Sequence, residues 1–144
     1  TSQMLYIDEQ CVPLGGIEQV KYSPFQFSQS IGAIVQQQHE QINRAHGGID
    51  HTFILDKREI VLEEAESGRK LTMTTDQTCV VIYTGQKIGN DFSFAEAQAQ
   101  NFSGVCLEVQ NMPNSVVNKH FSSSFISPTD SYRQTTRYQF SVIS

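Results

Sequence analysis

Hydrophobic and polar residues alternate along much of this chain. In GVCLEVQ (104–110), Val105, Leu107 and Val109 alternate with Cys106, Glu108 and Gln110, the period-2 pattern of a β-strand with two unlike faces. Similar runs occur at MLYI (4–7), HTFIL (51–55), IVLEEA (60–65), KLTMTT (70–75), CVVIYTG (79–85) and RYQFSVI (137–143). Turn material separates them: PLGG (13–16), HGG (46–48), ESGR (66–69), GQKIGND (85–91) and MPNS (112–115). ESGR between IVLEEA and KLTMTT reads as the turn of a hairpin. Short strands spaced by Gly, Asn and Asp clusters predict an all-β fold, a sandwich or a barrel. Two short polar helices are expected, over QQQHEQINRAH (36–46) and SFAEAQAQN (93–101). Ser93 is placed to cap the second, with Glu96 three residues on completing a capping box. No repeat, linker or low-complexity tail divides the chain, so residues 1–144 are expected to form a single unit.

Composition narrows the function. At 144 residues the chain can bury a real core. Its net charge is −5, and its ten Lys and Arg are scattered, with only Lys57-Arg58 and Arg69-Lys70 adjacent. That distribution argues against binding nucleic acid or an anionic membrane surface. No apolar run approaches the ~20 residues of a membrane span, and TSQMLYIDEQ lacks the basic and apolar regions of a signal peptide. Cys11, Cys79 and Cys106 are widely spaced and form no C-x-x-C pair. They are expected to be reduced, buried thiols of a cytoplasmic protein. Without a secretion signal, the sequon Asn101-Phe102-Ser103 carries no weight.

The four histidines, His39, His46, His51 and His120, fit no zinc-ligand spacing. The glycine pairs match no phosphate loop, and no G-x-S-x-G elbow is present. Asp50 follows two glycines and opens a strand, an ordinary place for Asp. Glu108 stands out, because an ionised carboxylate inside an apolar strand is paired, exposed or functional. The pattern leaves two readings open, a wet edge strand or a working site. Gln110 shares its face and makes a polar patch suited to a sugar or another polar ligand.

Longer blocks carry a resemblance. CVPLGGIEQVKYSPFQFSQSIGA (11–33), GGIDHTFIL (47–55), ESGRKLTMTTDQTCVVIYTGQ (66–86), GVCLEVQNMPNSVVN (104–118) and SPTDSYRQTTRYQF (127–140) occur in that order. The succession resembles the C-terminal half of the aldose 1-epimerase (galactose mutarotase) family. The resemblance implies a large antiparallel β-sandwich, of which this chain supplies the C-terminal part. It implies interconversion of the α and β anomers of free aldohexoses such as galactose or glucose, without cofactor or metal. Glu108 then matches the general base at the C1 hydroxyl, and Asp50 the residue that hydrogen-bonds and orients the sugar, with Gln110 beside Glu108 as support. The family's histidine acid belongs to the N-terminal half, so a second chain or segment is the expected partner. None of the four histidines here lies where that acid should, and strand alternation turns His51 away from Asp50.

The chain also departs from the family. Val81 stands where many members carry a substrate-contacting glutamine, Asn114 replaces a usual Asp, and Gln26 replaces the Asp of a common DF pair. Val81 and the missing acid keep a second expectation open, a non-catalytic carbohydrate-binding or structural protein of the same fold. A hexose 6-phosphate epimerase would want a basic phosphate cluster, which Arg69-Lys70 on a hairpin does not make.

Overall fold

The computed structural model describes residues 1–143. Its larger sheet holds β1 (Gln3–Ile7), β2 (Pro13–Gln19), β3 (Asp50–Ile54), β6 (Cys79–Tyr83) and β7 (Cys106–Gln110), in the order β2-β1-β3-β6-β7. Its smaller sheet holds β4 (Glu59–Glu63), β5 (Arg69–Thr75) and β8 (Thr136–Val142), in the order β4-β5-β8. Every pairing is antiparallel. Two one-turn helices, α1 (Ile31–Val35) and α2 (Glu40–Arg44), lie between β2 and β3. The expected all-β antiparallel architecture is the one observed, and each of the seven expected strands is present within two residues at either end.

Three local expectations fail. PLGG is no turn but the start of β2, paired with β1 from Ile7↔Pro13 to Gln3↔Gln19. A proline is tolerated there because β2 is an edge strand and Pro13 its first residue. Gly15 admits a close neighbour, since a Cβ at that position would run into the Asn118 side chain. Of the helix expected over 36–46 only α2 forms, capped by His39, whose Nδ1 accepts from the Gln41 N–H at 3.1 Å. The segment 93–101 is not helical. Ser93 bridges to Gln98, whose amide donates to the Asn90 and Phe92 carbonyls at 2.6 and 2.8 Å. So short a segment cannot meet the cost of helix nucleation alone, and Gln98 offers its loop carbonyls a better partner.

One face of the larger sheet carries the core. Met4, Phe53, Val80 and Ile82 pack there with Phe25, Ile34 and Ile42 from the segment holding the helices, and with Met73 of β5. Phe25 meets Phe53 edge to face at 5.9 Å between ring centroids. A buried Phe here contributes about 3–5 kcal/mol, measured as the cost of truncation to Ala. Strand alternation turns the intervening residues of β3, β6 and β7 to the opposite face. Between the two sheets runs an open apolar trough of about 770 Å³, lined in part by Phe27, Leu55, Ile60, Leu62 and Leu107. On the far strand of the smaller sheet, β8 exposes Tyr138, Phe140 and Val142.

Candidate functional site

The ladder register assembles the polar face. Asp50 of β3 sits opposite Tyr83 of β6, which sits opposite Cys106 of β7. The next rung on the same face is Thr52, Val81 and Glu108, and the third is Ile54, Cys79 and Gln110. Two strand spacings and a two-residue step separate the Asp50 and Glu108 Cα atoms by roughly 12 Å. Both side chains can therefore converge on one small molecule lying across β6. Gln110 lies one rung further from Asp50 than Glu108 does. Glu108 is exposed on β7, the edge strand of its sheet among the described residues.

Asp50 is held by the turn before it. His46 and Gly47 adopt positive φ of 55° and 85°, carrying the chain from α2 into β3. Gly48 packs so closely on Thr84 that a Cβ would lie 2.7 Å from its Oγ1, which fixes glycine there. Behind the turn, the Thr84 hydroxyl accepts from the Ile49 N–H at 2.9 Å and donates to Gln86 Oε1 at 2.8 Å. The Gln86 amide then donates to the Ala45 carbonyl at 2.8 Å. Thr84 and Gln86 are both buried, so the GGID turn is clamped by side chains that the strand pattern does not single out.

Burial raises the Asp50 carboxyl above the usual carboxylate range, and the charge of Glu108 raises it further. His46 and Lys87 pull the other way, and their side chains meet at 3.4 Å. The Tyr83 hydroxyl accepts from the Lys87 N–H at 3.0 Å. Lys87 thus brings positive charge to this end of the face and donates to His46 Nε2, roles not foreseen for either. The thiol of Cys11 is raised by burial and then by Asp50.

The remaining histidines are structural here. His39 caps α2, and His120 is bonded to the Gly15 carbonyl at 2.7 Å and packs on Phe121. His51 is 1 % exposed on the core face and packs on Phe25 at 4.5 Å. Burial drives its pKa down to about 3. No histidine is hydrogen-bonded to Glu108 among the described residues. No three His, Cys, Asp or Glu among them are grouped to hold a metal ion. Of the three thiols expected to be buried, Cys79 is buried, Cys11 is half-buried, and Cys106 is exposed on the polar face. No helix among the described residues is long and apolar enough to cross a membrane.

A family model described as aldose 1-epimerase matches residues 1–139. Galactose mutarotases from Sus scrofa and Bos taurus are each 33 % identical to the chain, over 96 % of it and 41 % of their own length. The galactose mutarotase of Mus musculus is 31 % identical over the same shares. The chain thus spans about 41 % of the length of the curated relatives it matches. Among solved structures, an aldose epimerase homologue from C. elegans superposes with a TM-score of 0.82 at 17 % identity, covering 99 % of this chain and 44 % of that one. Galactose 1-epimerase from Lactobacillus acidophilus NCFM gives a TM-score of 0.66 at 21 % identity, covering 98 % and 42 %. At these identities the structural likeness speaks to fold.

Proposed function

The chain belongs to the aldose 1-epimerase family, and on that premise we propose that it serves to interconvert the α and β anomers of a free aldohexose such as galactose or glucose. Glu108 removes the proton from the C1 hydroxyl while an acid protonates the ring oxygen, and the C1–O5 bond breaks to give the open aldehyde. Rotation about C1–C2 presents the other face of the carbonyl. O5 then attacks C1 and returns its proton to the acid as Glu108 gives its own back to O1. Asp50 accepts hydrogen bonds from sugar hydroxyls and fixes the ring against this base, the kind of orientation that supplies much of such a rate enhancement. Gln110 supports Glu108 from the next rung. The chemistry is proton transfer alone and calls for no cofactor, and the proposed setting is the cytoplasm.

The observation that carries this reading is the shared face of Asp50 and Glu108, on two strands bridged by β6. The acid is assigned to a second segment or chain that completes the sandwich. Support for that assignment comes from the apolar trough, the exposed β8 side chains, and the engagement of His39, His51 and His120 elsewhere. A monodisperse, active protein made of these residues alone would refute it. Polarimetry with freshly dissolved α-D-glucose and α-D-galactose tests the function. Glu108→Gln should slow mutarotation at least ~100-fold, the usual scale of general-base catalysis, and an unchanged rate would refute the assignment.

Val81 favours a second reading. It is an apolar rung between Thr52 and Glu108, where the family resemblance implies a glutamine that contacts substrate. Sugar binding without mutarotation in the complete protein would favour a carbohydrate-binding role over the enzymatic one.

A further inference from the structure

The β1–β3 ladder stops before it reaches Asp50. It pairs Gln3, Met4 and Leu5 with Ile54, Phe53 and Thr52, and the same register continued would set Ile7 against Asp50. Instead the strands part, and side chains take up the backbone groups that the opening leaves. The Ile7 N–H donates to Gln41 Oε1 at 2.8 Å, and the Ile7 carbonyl accepts from Gln41 Nε2 at 3.1 Å and Arg44 Nη1 at 2.7 Å. On the other side of the opening, the Asp50 N–H donates to His51 Nδ1 at 3.1 Å. His51 Nε2 and Gln41 Oε1 lie 3.1 Å apart, closing the chain Ile7–Gln41–His51–Asp50.

Only one arrangement of protons satisfies this chain. Nδ1 must accept because the backbone N–H can only donate, so Nε2 carries the ring proton and gives it to Gln41 Oε1. Gln41 in turn must present its oxygen to two donors and its nitrogen to the Ile7 carbonyl, as observed. Both side chains are almost fully buried, at 1 % and 3 % exposure. Protonating the ring would set two N–H groups against each other in an apolar pocket beside Phe25.

We infer that His51, backed by Gln41, is a positioning residue for Asp50: its ring replaces the missing β1 partner and sets the angle at which the Asp50 carboxylate meets the sugar. The inference rests on the reading of Asp50 as the sugar-orienting residue. Because Asp50 acts through binding geometry, loss of the ring should weaken the grip on substrate more than it slows the bound complex.

A double-mutant cycle in the complete enzyme tests this. His51→Phe keeps the packing on Phe25 and removes both ring nitrogens. It should lower kcat/KM about 10- to 100-fold, chiefly through KM. In an Asp50→Ala background the same change should cost less than about 2-fold, because the coupled partner is already gone. Equal losses in the two backgrounds would overturn the inference. An Asp50→Ala enzyme with unchanged kcat/KM would instead overturn the reading of Asp50 on which it rests. Should His51→Phe not fold, nitrogen NMR of the unaltered protein decides. The ring is expected to stay in the Nε2–H form between about pH 5 and 8, whereas an Nδ1–H tautomer or titration in that range would refute the brace.

Discussion

Two buried threonines, Thr52 within β3 and Thr84 just past the end of β6, should respond in opposite ways to the same near-isosteric change. The hydroxyl of Thr84 is 2 % exposed as a residue and joins the Ile49 N–H to Gln86 Oε1 at 2.9 and 2.8 Å. Thr84→Val leaves the Ile49 N–H without its partner and Gln86 Oε1 without its donor, while filling the same space. Each buried group left unpaired costs about 1–3 kcal/mol. Gln86 keeps its bonds to Ala45 and Ile49 and can relax, so a total of about 2–4 kcal/mol is expected. Thr52 is 1 % exposed, and its Oγ1 has no hydrogen-bond partner among the described residues. Thr52→Val therefore removes a hydroxyl whose burial is uncompensated, and should be neutral or stabilising by up to about 1 kcal/mol. Urea unfolding of the two variants in the complete protein, read by circular dichroism, gives both numbers. Thr84→Val should also raise KM, because the clamp it breaks holds the turn that presents Asp50. A loss below about 0.5 kcal/mol at Thr84 would refute the clamp, as would an equal loss at both threonines.

Acid lability follows from His51: its pKa falls from 6.5 to about 3 on folding, so its stabilising effect is full above pH 6.5 and is lost as pH drops toward 3. At pH 5 the loss relative to pH 7 should be about 2 kcal/mol, measured by urea titrations that should lose this slope in His51→Phe. Asp50 works in the opposite sense, because its carboxyl is raised above 3.8 by burial and by Glu108. Its effect on stability is most favourable below pH 3.8 and is lost as pH rises through the raised value, so Asp50→Asn should flatten that part of the pH profile in denaturant titrations. Among the thiols, exposed Cys106 should react first with a maleimide and be shielded by bound sugar. Buried Cys79, its thiol pushed up to about 11, should be the slowest by mass spectrometry.

Alternation made the strands legible because it reports one thing, that the two faces of a strand meet different surroundings. Met4, Phe53, Val80, Ile82 and Leu107 recur every second residue and form one wall of the core. β2 escaped because its opening residues have turn composition, and what makes them a strand is pairing with β1 together with a close approach by Asn118. The segment 93–101 misled in the other direction, since the Ser93 and Glu96 spacing of a capping box says nothing of Gln98 competing for the same loop. Thr84, Gln86 and Gln41 were invisible for a common reason. Each acts on backbone far away in the chain, and no local period records a side chain that replaces a missing ladder bond.

Glu108 shows why the sequence left its two alternatives unresolved: they are not exclusive. Among the described residues β7 is an edge strand and Glu108 is exposed, which is the wet-edge geometry. The same strand also carries Glu108 to the face of Asp50, through a rung of β6 that no single run of residues displays. The alternation of GVCLEVQ thus identified the face, while the ladder through β6 shows that Asp50 shares it.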